Sequence, residues 1–365
     1  MGDLNILWHL IEQGRKGENK GLSTGLSKID KILGGIQPSR YYCISGASSS
    51  GKTALVLYFI YRLLKDHPDD PIYLIYFSLE IGSEVLLAKL MALYCAEEYG
   101  VYLTINDILS FDVVLSDENF EFLKKAKEWL SALSSRIIIL DKGLNAKILY
   151  KETCSIMSKL GTLEETDTGR KIYIPNNPKQ RVIGVVDHMS LINPTDGRTL
   201  KGEIDLTSAC MVTLKRIYYL SWFALMQQNR ESSSMDRRKA DLSEPGLNDV
   251  KDSGGPVQDS DVTLQLYYPA RDKLPTYRDY KILGPKSLGG RFRSIIISKN
   301  RYGIADKVVG CGFYGEVGWF KELPLGKEIA DFTQYIDINT NIGNKLNINK
   351  SDNIVDKPNN IYKLV

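Results

Sequence analysis

At 365 residues, with 43% hydrophobic and 25% charged residues, the chain has room for one large domain or two ordinary ones and the composition of a soluble globular protein. Its formal net charge of +3 is too small to indicate a nucleic-acid binder by itself, and no apolar run approaches the roughly 18 residues of a membrane span. The five cysteines (Cys43, Cys95, Cys154, Cys210, Cys311) are scattered, odd in number and never spaced C-x-x-C. That speaks against a zinc site or disulfide framework and points to a reducing, cytoplasm-like compartment.

The start, MGDLNI, carries neither a signal-peptide nor a myristoylation pattern. Residues 4–14, LNILWHLIEQG, place Leu7, Trp8, Leu10 and Ile11 at helical spacing, with Gly14 as a stop. A helix of about three turns is marginal alone in water, so its apolar side needs a surface, on its own domain or on a neighbouring subunit. After the polar stretch RKGENKG, the apolar runs YYCIS, IYLIYFSLE, RIIILDKG, VIGVVDHMSLI, WFALMQQ, VTLQLYY and RSIIISKN read as buried strands. Helical patterns fall between the earlier ones, over 52–66, 83–99, 117–134, 146–160 and 204–220. Strands alternating with helices predict an α/β fold with a mainly parallel sheet flanked by helices. The last strands follow one another directly, which predicts an antiparallel edge extension. Residues 231–255 form a long polar stretch, and from about Asn339 the chain turns Asn-, Lys- and Ile-rich. The first reads as a functional or disordered loop and the second as a disordered tail, whose apolar end IYKLV is a candidate docking peptide. The organisation is then a helix over 1–20, a core over 21–338 and a tail over 339–365.

ISGASSSGKTALVLYFI contains G-x-x-x-x-G-K-T at Gly46, Gly51, Lys52 and Thr53, after a strand and at the start of an apolar helix. In that context the pattern is a P-loop. Backbone N–H groups of a small-residue loop and a helix N-terminus cradle phosphates, so Gly46, Ser49, Ser50, Gly51, Lys52, Thr53 and Ala54 are expected to bind a nucleoside triphosphate. Lys52 would reach the β and γ phosphates and Thr53 would ligate Mg²⁺. Asp187 ends VIGVVD, where a Walker-B aspartate holds the metal through water; the plain alternative is a turn residue. Glu80 ends YLIYFSLE and is placed to polarise the water attacking the γ-phosphate; the plain alternative is a solvent-facing residue before a helix capped by Ser83. In IIISKNRYG, Lys299 and Arg301 stand two apart, so in a strand both point the same way, and no acidic residue lies between them.

Taken in order, these motifs resemble the C-terminal motor domain of DnaB-like replicative helicases, a hexameric family built on the RecA fold. The resemblance runs from about Gly21 to about Gly315. GLSTGLSKIDKILGGIQPSRYYCISG is similar to the family's lead into the P-loop, FSLE to its catalytic-glutamate strand, and VVDHMSLI to its Walker B. QQNR resembles the segment with a γ-phosphate-sensing glutamine, which would be Gln227. DVKDSGGPVQDSDV resembles the loop and strand lining the central channel, and SKNRYG the final motif, whose Lys and Arg act as fingers. The last two are the specific ones, because other RecA-fold ATPases do not carry that pair in this order.

The resemblance implies ATP between neighbouring subunits of a ring. One subunit would supply Lys52, Thr53, Asp187, Glu80 and Gln227, and the next Lys299 and Arg301. Residues 231–255 would face the channel, where Lys251, Asp252, Ser253 and Gly254 would hold single-stranded DNA, with Arg237, Arg238 and Lys239 adding charge. It also implies 5′ to 3′ translocation, a primase or helicase loader as partner, and an N-terminal helix packed on the adjacent subunit. Departures are the short segment before the motor, the absence of the zinc-binding cysteines of primase-fused phage helicases, His188 where bacterial sequences usually have Tyr, and Lys251–Asp252 in place of Arg-Glu. The compact motor with its Asn-rich tail reads as viral, a bacteriophage protein in the host cytoplasm. Two other classes share the P-loop, Glu80 and Asp187: a recombinase that forms filaments, and a non-motor RecA-fold ATPase that regulates or loads.

Overall fold

The computed structural model describes residues 2–111, 113–165, 169, 171–195, 197–229, 244–251 and 254–338. The chain begins with α1 (Gly2–Arg15) and α2 (Ser27–Leu33), the latter closed by Gly34 in the left-handed region. Then come β1 (Tyr41–Gly46), α3 (Lys52–Asp66), β2 (Ile72–Ser78), α4 (Ser83–Tyr99), the single turn α5 (Ile105–Ile108), α6 (Asp117–Ala132), β3 (Ile137–Leu140) and α7 (Ala146–Leu160). A hairpin of β4 (Gly161–Glu165) and β5 (Lys171–Pro175) leads to β6 (Arg181–Asp187), α8 (Leu200–Tyr218) and β7 (Ser221–Gln227). The short α9 (Gly254–Asp259) precedes β8 (Val262–Tyr267), the small pair β9 (Thr276–Tyr277) and β10 (Tyr280–Lys281), and the final strands β11 (Phe292–Asn300), β12 (Lys307–Tyr314) and β13 (Trp319–Glu322).

Nine strands form one sheet in the order β13-β12-β11-β8-β1-β7-β6-β2-β3. The six from β8 to β3 are parallel, and β11, β12 and β13 extend the β8 edge antiparallel. This is the architecture the alternating apolar runs predict. The runs are continuous because both sheet faces are covered. Successive residues of β1 go to opposite layers: Tyr42 and Ile44 join Phe59 of α3 and Leu90 of α4 on one side, while Tyr41 and Cys43 join Met157 of α7 and Met211 of α8 on the other.

Several local readings change. Helix α8 starts at Leu200 and not at 204, because the Thr199 hydroxyl caps it by accepting from the Gly202 N–H at 3.2 Å. It stops at Tyr218 because Tyr219 turns left-handed, with φ +56°. Helix α6 ends at Ala132 and not at 134. Ser83 does not cap α4; it is the first helical residue, Gly82 occupies the cap, and the Ser83 hydroxyl turns to Glu84. In α1 the side chains of Leu4, Leu7, Trp8, Leu10 and Ile11 are 43–66% exposed, so the described residues of this chain do not cover them. The tail over 339–365 lies outside the described residues. Among the described residues no helix is long and apolar enough to cross a membrane.

Candidate active site

The parallel strands all end on the same side, and the candidate residues gather there. Gly46 ends β1 opposite Gln227 at the end of β7, and Asp187 ends β6 opposite Ser78 at the end of β2, with Glu80 just beyond. Because β1, β7, β6 and β2 are sequential neighbours in the sheet, the loops that leave them share one rim, the place where open α/β sheets bind ligands.

The loop from Gly46 to Lys52 needs its glycines. A Cβ on Gly46 would stand 2.5 Å from the Ser50 hydroxyl and 2.9 Å from the Leu266 carbonyl. Gly51 caps α3 at φ +103°, and a Cβ there would press on the Phe313 ring at 3.1 Å. Ser49 is also left-handed, at φ +59°. Ser50 keeps a buried hydroxyl without a partner among the described residues, and Thr53 and Ala54 sit in the first turn of α3. The Lys52 ammonium folds over its own loop, donating to the carbonyls of Gly46 and Ala47 at 3.0 and 3.1 Å. Burial lowers its pKa, against the pull of the Asp187 and Glu80 carboxylates.

Asp187 is almost wholly buried. Its Oδ2 accepts from the Tyr76 hydroxyl at 2.7 Å, while Oδ1 is buried with no hydrogen-bond partner among the described residues. Burial raises its pKa; the Tyr76 and Thr53 hydroxyls work in the opposite sense. Burial, together with this carboxylate, also raises the pKa of the Tyr76 phenol well above its usual range and keeps it a donor. An orphaned carboxylate oxygen near the first-turn threonine fits a divalent cation held by Thr53 and, through water, by Asp187. Glu80 is 56% exposed, with His188 Nε2 3.7 Å from its Oε2. Burial lowers the pKa of His188, with Glu80 pulling it back up. The backbone of Gln227 is stitched to the loops on both sides: its carbonyl accepts from Lys251 N–H at 2.8 Å, and the next N–H, of Gln228, donates to Gly46.

Lys299 and Arg301 do not join this group. Strand β11 runs antiparallel to β8, pairing Asn300 with Val262, and Val262 in turn pairs with Tyr42 near the start of β1. The two cations therefore leave the sheet at the end opposite the P-loop. The two-residue strand argument does not carry over, because β11 ends at Asn300 and its register shifts between Ile297 and Lys299, yet both cations grip the last turn of α9. Lys299 Nζ donates to the carbonyls of Val257 and Gln258 at 2.7 and 2.8 Å, and Arg301 donates to Gln258 O at 3.0 Å. Cations at the carbonyl end of a helix are well placed electrostatically. Nor is Arg301 without an acid: its Nη1 is 3.3 Å from Oδ1 of Asp261, a residue 40 positions earlier that also holds Lys215 at 2.5 Å and the Tyr41 N–H at 2.8 Å.

Of the expected DNA-contacting residues, Lys251 is exposed and Gly254 opens α9. Asp252 and Ser253 lie outside the described residues, as do Arg230 and residues 231–243, with Arg237, Arg238 and Lys239. The Gly255 N–H is already taken by Asp205 Oδ1 of α8, at 2.7 Å.

Sequence reasoning missed the residues that brace the phosphate loop. Arg271 donates to the Ser48 carbonyl at 2.6 Å. Arg293, 5% exposed, donates to the Ser50 carbonyl at 2.8 Å and stacks on Tyr268, 3.6 Å from the ring centre. Burial pushes its guanidinium down to about 10. Tyr76 was missed too. No motif marks these residues; they matter only once the strand order is known.

The family description "DnaB-like helicase C terminal domain" matches residues 21–322. The replicative DNA helicase DnaB of Helicobacter pylori (strain J99 / ATCC 700824) is 26% identical over 261 residues, covering 71% of this chain and 46% of that protein. The replicative DNA helicase DnaB of Mycoplasma genitalium is 24% identical over 304 residues, 82% of this chain and 56% of its own length. The chain thus spans about half the length of the curated relatives it matches. Among solved structures, one described as an ATPase domain superposes with a TM-score of 0.68 at 22% identity, covering 88% of this chain and 98% of that one. A DnaB-like replicative helicase, described with its interactions with primase, gives 0.68 at 23% identity, covering 88% and 68%. The shared fold is the RecA-like one of these structures.

Proposed function

The chain belongs to the DnaB-like helicase C-terminal domain family, and on that footing we propose that it is the motor of an ATP-dependent replicative DNA helicase, acting as a hexameric ring on single-stranded DNA. The observation that carries this reading is the split of the site across the sheet. Phosphate loop, acid pair and Gln227 stand at one end, and the Lys299–Arg301 pair stands at the other. Six residues of β1 separate the two ends, about 20 Å at strand rise, farther than an arginine side chain reaches. A complete site needs a second copy, and a head-to-tail ring supplies one at every interface.

Within that site each residue has a task. The backbone of Gly46 to Thr53 and the Lys52 ammonium bind the phosphates of ATP. Thr53 and Asp187 hold Mg²⁺, which when bound supplies positive charge to the β and γ phosphates. Glu80, open to solvent, orients the attacking water and accepts its proton at the carboxylate. Gln227 senses the γ-phosphate, and its carbonyl bond to the Lys251 N–H carries the change toward the channel loop. Lys299 and Arg301 of the neighbour add charge as the bond breaks; a finger provided in trans is worth about 10³–10⁵ in rate. Lys251 to Gly254 hold the DNA backbone, contacts that position without reading sequence. The exposed apolar side of α1 packs on the adjacent subunit. Residues 1–20 form the linker, 21–338 the motor and 339–365 a tail; a primase or loader is the expected protein partner.

Electron microscopy with an ATP analogue and single-stranded DNA, followed by a fork-unwinding assay, tests this. Closed six-membered rings that separate the fork are expected. Filaments on DNA would identify a recombinase, and well-formed rings that hydrolyse ATP without unwinding would identify a non-motor ATPase.

A further inference from the structure

We propose that Tyr76 is a positioning residue for the metal side of the site: its hydroxyl fixes the Asp187 carboxylate so that Oδ1 faces the cation. This rests on reading Asp187 as the holder of Mg²⁺. Tyr76 is fully buried in β2 beside Val185 of β6, and its side chain brings the phenol oxygen to 2.7 Å from Asp187 Oδ2. The torsion that turns an aspartate carboxylate has broad, weakly defined wells. One strong donor on one oxygen sets the plane of the group and leaves the other oxygen aimed elsewhere. Here that other oxygen is buried and, among the described residues, unpartnered. A core aromatic needs no hydroxyl to fill this space; phenylalanine has the same ring. The hydroxyl is spent on the one carboxylate that the site needs in a fixed orientation. Partners that orient the ligands of a metal contribute about 10–100-fold to metal affinity or activity.

The test is an Mg²⁺ titration of mant-ADP binding to the full chain, repeated with Mn²⁺ followed by electron paramagnetic resonance, on the wild type, Y76F, Y76M and D187N. Y76F is expected to raise the Mg²⁺ concentration for half-saturation about 10-fold, while mant-ADP affinity in EDTA stays unchanged. Y76M, which also lacks the donor but adapts its packing, should show the same shift. If D187N shifts the Mg²⁺ dependence and neither Tyr76 variant does, the positioning role is overturned and the reading of Asp187 stands. If D187N shifts nothing, the reading of Asp187 falls, and this proposal with it. Loss of mant-ADP binding in EDTA by both Tyr76 variants would make Tyr76 a packing residue and overturn the proposal.

Discussion

At the carboxyl end of the parallel strands, two polar groups stand without partners among the described residues: the Ser50 hydroxyl and Asp187 Oδ1 are both buried and unbonded. At the amino end the charges are closed on one another. Asp261 holds Lys215, Arg301 and the Tyr41 N–H, and Lys299 lies on the carbonyls of α9. Under the proposed function one end receives the nucleotide, and the other carries cations braced by Asp261 and the α9 carbonyls. A buried polar group without a partner costs about 1–3 kcal/mol, and a bound nucleotide with its cation would satisfy these two. Arg301 is held at its guanidinium, through Nη1 to Asp261 and Nη2 to the Gln258 carbonyl, and under the proposed function that platform would offer its charge to the next copy.

The comparison can be broken from either side. R301A should lower the ATPase rate of the assembled ring by about 10³-fold or more and leave nucleotide binding by the same chain unchanged, as followed by mant-ADP fluorescence. Equal loss of binding would place Arg301 in the nucleotide cradle and erase the division between the ends. D261A removes the acid that compensates Lys215, which is 8% exposed. A buried ion left unpaired costs about 3–5 kcal/mol, and urea denaturation at neutral pH should show a loss of that order. A change near zero would mean that the finger platform is not a structural unit. G51A acts at the opposite end, at φ +103° and against Phe313; a loss of about 1–2 kcal/mol is expected from the strained backbone, with weaker nucleotide binding. Deleting residues 1–20 should change unfolding by less than about 0.5 kcal/mol, since the described apolar side chains of α1 are already exposed, yet light scattering should show fewer hexamers. Intact hexamers would remove α1 from the subunit interface.

The ligand-receiving end was the more legible in the sequence. Its residues sit at or just beyond the ends of long apolar runs, so Gly46, Glu80 and Asp187 can be placed from strand periodicity and loop chemistry, whereas Gln227 was singled out only by the family resemblance. A parallel sheet puts them all at one edge, and their gathering also needs β1, β7, β6 and β2 to be neighbours. The braced end was legible only in part. Spacing predicted Lys299 and Arg301 on one face of a strand, but the strand ends at Asn300, and Asp261 lies 40 residues away and becomes a neighbour only through the antiparallel pairing of β11 with β8. The Tyr76–Asp187 bond stayed hidden for the same reason, since it needs β2 next to β6. The β4–β5 hairpin escaped because its polar GTLEE strand lacks the apolar run that marked the others. Ser83 misled because a serine at a helix start resembles a cap, and the cap position fell to Gly82.

The division of labour between the two ends meets its most direct test in mixed rings of K52A and R301A. Each variant alone should be inactive as an ATPase. In an equimolar mixture of a head-to-tail ring, about a quarter of the interfaces pair an intact phosphate loop with an intact finger, so a measurable share of wild-type turnover should return. A mixture as inactive as its two components would contradict a site completed in trans.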